Sequence, residues 1–145
     1  MMQLQQQQQR NKYLQNTVQT ASPQQLLIML YDGAIRFCRQ GIEGIKTQDY
    51  SAANTGFLRT QDIINEFIIT IDRSSSVAAN LLQLYEYFNS RLVEANMQKS
   101  IEPAEEVLGH LIELKESWME AAKQVNQIAG QASGNTFKAT QSVIL

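Results

Sequence analysis

The fold is decided by residues 19–37, which read QTASPQQLLIMLYDGAIRF. Ser22, Pro23 and Gln25 make a helix-start signal, because serine caps a free backbone N–H, proline suits the first helical position and the glutamine completes a capping box. Apolar or small residues then recur every three or four positions, at Leu26, Leu30, Gly33, Phe37 and Gly41. This spacing predicts one long amphipathic helix that ends near Lys46.

Gly33 stands out in this helix, because glycine in a helix interior costs about 1 kcal/mol relative to alanine. It shares a stripe with Leu30 and Phe37. A position without a side chain lets another helix approach closely, so we predict that Gly33 marks a packing contact. The six consecutive apolar residues 26–31 cannot all point inward. Either the helix is well buried, or part of this run is covered by a tail or a partner, and periodicity leaves both open.

Three further amphipathic helices follow in the sequence. Asp49 is a plausible cap for the second, whose apolar stripe runs to about Ile71. The third follows the serine-rich break at 74–76, with Ser75 or Ser76 as its cap, and the fourth keeps its stripe from Pro103 to about Val125. Four helices with short connections predict an all-α, antiparallel up-and-down four-helix bundle.

The chain divides into three predicted segments. Residues 1–21 form a flexible, glutamine-rich N-terminal segment, residues 22–125 form the bundle, and residues 126–145 form a flexible C-terminal tail. The two ends carry too little periodic apolar surface to offset the entropy of ordering them.

Composition excludes several classes of protein. A chain of 145 residues with 43% apolar residues is expected to form one globular domain. A net charge of −2 argues against a general nucleic-acid binder. The sequence has no apolar run long enough to cross a membrane and no secretory signal, and its single cysteine fits a reducing compartment. We therefore predict a cytoplasmic protein without membrane insertion.

Catalytic and metal-binding patterns are scarce. His110 is the single histidine and has no Glu-x-x-His spacing around it, so a di-iron site is not expected. Cys38 is read as a buried structural thiol rather than a nucleophile. Carboxylate neighbours such as Asp62 and Glu66 fit a solvated helix face. We predict a binding protein with no enzymatic activity, no metal and no cofactor.

Three segments of the chain resemble a known family. They are YLQNTVQTASPQQLLIMLYDGAIRF at 13–37, NLLQLYEYFNSRLVEANMQKS at 80–100 and EEVLGHLIELKESW at 105–118. Their order and content are similar to those of the flagellar export chaperone FliS family. The resemblance implies a cytosolic four-helix bundle that binds the disordered C-terminal segment of newly made flagellin and prevents its premature polymerisation. It also implies delivery of that complex to the export gate protein FlhA, without nucleotide.

The resemblance also suggests flagellin-binding residues. Tyr13 and Leu14 would belong to a displaceable lid over the groove, although composition alone fits a frayed tail equally well. On the third helix the candidates are Tyr85, Arg91, Leu92 and Asn96. Arg91 and Asn96 either contact the bound segment or form hydrogen bonds within the bundle.

The sequence leaves two alternatives open. A helical adaptor that binds a folded partner would use the same groove without an unfolded client. The closing stretch TFKATQSVIL, residues 136–145, is apolar enough to occupy a groove on the same molecule or on a neighbouring copy, and the second arrangement would give a homodimer.

Overall fold

The computed structural model describes residues 8–12 and 21–131. Four long helices occupy the second of these ranges: α1 at Pro23–Lys46, α2 at Tyr50–Thr70, α3 at Ala78–Gln98 and α4 at Ile101–Gln131. Residues 8–12 are helical as well, and none of the residues described is in a strand. The prediction of an all-α protein is confirmed. The fourth helix continues to Gln131, past Val125, where its apolar stripe ends.

The helix starts follow the local chemistry of the sequence. The Gln25 backbone N–H donates to Ser22 Oγ at 3.2 Å, and the Ser22 N–H donates to Gln25 Oε1 at 3.0 Å, which is the predicted capping box. Asp49 caps α2 by accepting from the Ala52 N–H at 3.1 Å. The start of α3 differs from prediction, because Val77 holds the cap position and makes no side-chain hydrogen bond there.

The four helices form a closed ring. The α1 helix packs against α2 and α4, and α3 packs against the same two helices from the other side. The connections 47–49 and 99–100 are so short that the helices they join must run antiparallel. The seam between α2 and α3 therefore lies on the opposite side of the bundle from the seam between α1 and α4.

The core runs along the axis of this ring. Its largest fully buried side chains include Tyr31, Phe57, Phe88 and Leu92, contributed by three of the helices, and α4 adds Val107 and Leu111. Of the apolar run 26–31, Tyr31 is fully buried while the five residues before it are partly exposed. The side chains of residues 26–31 therefore point in different directions around α1, and only that of Tyr31 lies in the centre of the core.

The backbones of α1 and α2 approach each other closely at a crossing that contains three glycines, Gly41, Gly44 and Gly56. A Cβ atom placed on Gly56 would lie 2.5 Å from Gly41 N and 2.7 Å from Phe37 O. Gly33 is also buried against α2, but a Cβ there would meet only the end of the Ile63 side chain, at 3.2 Å. The packing role predicted for Gly33 is present, and the backbone contact itself lies further along α1.

None of the helices in the described ranges is long and apolar enough to cross a membrane.

Candidate functional site

The seam between α2 and α3 carries two bridges between asparagine side chains. Asn96 Nδ2 donates to Asn54 Oδ1 at 2.8 Å, and Asn89 Nδ2 donates to Asn65 Oδ1 at 2.8 Å. Each bridge uses one donor and one acceptor of amides that have two donors and two lone pairs each. Hydrogen-bonding capacity therefore remains on both sides of the seam.

Exposed apolar side chains lie between these bridges. Leu58 follows Asn54 by four residues and Val93 follows Asn89 by four, so each shares a helix face with its bridge. Their exposed fractions are 47% for Leu58 and 44% for Val93. We call this surface the asparagine groove; it is defined by Asn54, Leu58, Asn65, Asn89, Val93 and Asn96.

The asparagine groove continues at both ends. Met97, one turn beyond Val93, is 79% exposed, and Tyr50 lies one turn before Asn54. Lys99 Nζ donates to Asn96 Oδ1 at 2.7 Å and lies 5.6 Å from the centre of the Tyr50 ring. At the opposite end, Ile69 is highly exposed one turn beyond Asn65. The result is a long face of apolar and amide groups with a cation at one end.

Arg91 lies on the other side of α3, toward α4. Its guanidinium donates to Glu94 Oε2 at 2.7 Å and to Glu106 Oε2 at 3.3 Å. The Tyr87 hydroxyl also donates to Glu106, and this hydrogen bond, aided by the charge of Arg91, lowers the pKa of the Glu106 carboxyl. Arg91 is thus held by partners within the bundle, at the rim between α3 and α4.

Tyr85 and Leu92 lie in the hydrophobic core of the bundle. The Tyr85 hydroxyl is 2.7 Å from the Tyr31 hydroxyl, and the Phe67 ring lies 4.5 Å from Tyr31 and 5.3 Å from Tyr85. Burial raises the pKa of both phenols, so both remain neutral and share one hydrogen bond. Leu92 is fully buried. The Tyr85 side chain is only 2% exposed, at the wall of a small depression, so neither residue belongs to an open surface.

The single cysteine and the single histidine do not form a catalytic pair of the kind that activates a thiol. Cys38 is fully buried with its Sγ 3.5 Å from the Ala104 carbonyl oxygen, and burial raises the pKa of the thiol to about 12. The His110 ring stacks on Phe88 at 5.7 Å. Within the described ranges no three His, Cys, Asp or Glu side chains are grouped to hold a metal ion.

The buried thiol leads to a direct prediction. At pH 9 an ordinary cysteine is about half ionised, whereas Cys38 in the folded protein stays protonated. We expect iodoacetamide to modify native Cys38 more slowly than the urea-unfolded chain by a factor on the order of 100 or more, read by mass spectrometry. Equal rates in the two states would show that the thiol is accessible.

Comparison with known proteins places the chain in a family. A family model described as "Flagellar protein FliS" matches residues 5–125. The chain belongs to the FliS family. The match covers all of α1, α2 and α3 and most of α4, and so includes both sides of the asparagine groove.

Three relatives show how far the similarity to FliS proteins extends. The flagellar secretion chaperone FliS of Bacillus subtilis is 33% identical over 109 residues, which are 75% of this chain and 82% of that protein. FliS of Campylobacter jejuni is 34% identical over 112 residues, or 76% of this chain and 88% of that protein. FliS of Salmonella typhimurium is 28% identical over 116 residues, with coverages of 78% and 86%. Because FliS is a chaperone family, the prediction that the chain is not an enzyme is confirmed.

The residues predicted from the FliS resemblance do not form one continuous surface. Asn96 lies in the asparagine groove, Arg91 lies at the α3–α4 rim, and Tyr85 and Leu92 lie in the core. Tyr13 and Leu14, like the closing stretch 136–145, lie outside the described residues. The lid and the homodimer therefore stay predictions.

Sequence reasoning missed most of the asparagine groove. Helical periodicity indicates the buried stripe of each helix, and Asn54, Leu58 and Val93 lie outside those stripes. The available signal was the i, i+4 spacing of an amide and an apolar residue on the face away from that stripe, in Asn54–Leu58 and Asn89–Val93.

Proposed function

We propose that the protein is a cytoplasmic flagellar export chaperone that binds the disordered C-terminal segment of newly made flagellin and prevents its premature polymerisation. Membership of the FliS family supports the export role. The observation that carries the binding mode is the asparagine groove, where Leu58 and Val93 remain half exposed at the seam between α2 and α3.

The proposed mechanism rests on helical spacing. A disordered segment with apolar residues every three or four positions gains free energy when it lays that face into an apolar groove. Leu58, Val93 and Met97 supply the apolar contacts, and the amides of Asn54 and Asn96 hydrogen-bond to polar groups at the edge of the segment. The gain offsets the cost of ordering the segment, so binding needs no hydrolysis and release needs only a competitor.

The predicted site residues have different parts in this proposal. Asn96 contacts the segment directly, and Arg91 borders the α3–α4 rim, where a wrapped segment would pass. Tyr85 and Leu92 hold α3 in place from beneath. Tyr13 and Leu14 act as the displaceable lid. The loaded chaperone then delivers flagellin to the export gate protein FlhA.

The decisive experiment compares two clients. We expect full-length flagellin to bind in isothermal titration calorimetry and flagellin without its C-terminal segment not to bind, because that segment alone supplies the apolar face. Equal binding of both would instead favour the adaptor that recognises a folded partner.

Two variants locate the contact. Leu58→Glu combined with Val93→Glu places two charges on the apolar face, and we expect at least a tenfold loss of affinity, about 1.4 kcal/mol. The control Ser117→Glu adds the same type of charge at an exposed position on α4, which forms neither side of the asparagine groove, and should leave affinity unchanged.

A further inference from the structure

A second groove lies on the opposite side of the bundle, between α1 and α4. Its volume is about 530 Å³, and its apolar floor is formed by Ile35, Ile112 and Met119. Met119 is 48% exposed, although it is part of this apolar floor. An adjoining depression of about 440 Å³ shares Met119 and continues the groove toward the start of α1, at Gln25. We call the combined surface the α1–α4 groove.

The charges of the α1–α4 groove distinguish it from the asparagine groove. Arg36 and Arg39 stand on the α1 side, and Lys115 stands on the α4 side in an ion pair with Asp32. Among the residues the structure describes, neither arginine forms an ion pair. Glu116 is the remaining acidic residue that lines the main depression. The excess of cations contrasts with the net charge of −2 for the whole chain.

The length of the α1–α4 groove sets the size of an occupant. Residues 25–39 of α1 border it from end to end, which corresponds to about 21 Å of helix. Such a groove accommodates about four turns of a partner helix, with apolar residues on one face toward Ile35, Ile112 and Met119. Carboxylates along the edge of that helix would face the guanidinium groups of Arg36 and Arg39.

We propose that the α1–α4 groove is a second docking site, which binds an acidic amphipathic helix of a partner protein. The apolar floor favours a peptide over a phosphate-rich ligand, and the two arginines without ion pairs select carboxylates. Because the two grooves lie on opposite sides of the ring, the second partner binds while the asparagine groove is occupied. The proposal does not depend on what occupies the asparagine groove.

The test uses two synthetic peptides of about four helical turns. Both carry leucine at helical spacing, one with glutamate and one with lysine on the flanking positions. We expect the glutamate peptide to bind in fluorescence anisotropy at low salt, the lysine peptide to bind at least tenfold more weakly, and the difference to shrink in high salt. Equal affinity for both peptides would overturn the proposal.

Variants and methyl NMR locate the peptide. Arg36→Glu combined with Arg39→Glu should lower the affinity for the glutamate peptide at least tenfold, while Arg59→Glu, at an exposed position on α2, should not. The ε-methyl signal of Met119 should shift on binding, and that of Met97, in the other groove, should stay in place. Loss of binding in Arg59→Glu, or a shift of Met97 instead of Met119, would refute the assignment.

Analytical ultracentrifugation without peptide tests whether a second copy of the chain occupies the α1–α4 groove. We expect the native chain and the double arginine variant to have the same mass. A dimer that dissociates in the variant would mean that a second copy of the chain, rather than a partner helix, occupies the α1–α4 groove.

Discussion

Replacing Leu92 with alanine is expected to lower the free energy of unfolding by about 2–5 kcal/mol. The side chain is fully buried in the centre of the core, so its removal leaves a cavity that the surrounding helices cannot fill. Urea denaturation followed by circular dichroism measures the change. Flagellin affinity of the folded variant, measured well below its melting temperature, is expected to stay within a factor of about three of the native value.

The neighbouring Val93→Ala is the matched control. This side chain is half exposed in the asparagine groove, so stability should change by no more than about 0.5 kcal/mol. If flagellin binds in the asparagine groove as proposed, its affinity should instead fall, since an apolar contact is lost. Comparing the two variants thus distinguishes an effect on core packing from an effect on binding. A stable Leu92→Ala with weakened flagellin binding would reverse the roles that we assign to them.

Replacing Gly56 with alanine is expected to destabilise the protein by about 2 kcal/mol or more, although alanine is the better helix former. The new methyl group would lie within 2.8 Å of the Gly41 backbone and of Phe37 O. Backbone atoms in the middle of a helix cannot move aside as a side-chain end can, so the two helices must separate. Thermal unfolding measures the loss.

Gly109→Ala is the control, because it makes the same substitution at a helical position that does not face another helix closely. Apart from the adjacent residues and the backbone of its own helix, no described atom lies within 4 Å of a Cβ placed at this position, so only helix propensity changes. The variant should be more stable than the native chain by up to about 1 kcal/mol. If both glycine variants changed stability in the same direction, the close contact of α1 and α2 would not be what requires glycine.

Much of the fold could be predicted because local chemistry specifies it. The Ser22–Gln25 capping box and the Asp49 cap each involve residues within three positions of one another, and the sequence displays both partners. Helical periodicity likewise reveals the buried stripe of each helix, and short connections leave few ways to arrange four of them.

The candidate site was harder to predict because it depends on how two helices are aligned. Asn96 meets Asn54, which is 42 positions away, and no local pattern specifies that pairing. The same limit applies to Gly56, whose contact with Gly41 appears only when α1 crosses α2. The resemblance drew attention to α3, but it did not separate buried Leu92 from exposed Val93.

The glycine crossing has a mechanical consequence for the asparagine groove. Through α2, one wall of the groove is fixed to α1 by backbone contacts that leave no room for rearrangement. The other wall, α3, makes less extensive contact with either neighbour than α1 makes with α2, so small displacements of α3 cost less. A groove with one rigid and one compliant wall adjusts its width to side chains of different size. In the proposed function, the groove would therefore select a bound segment by the spacing of its apolar residues more than by their identity.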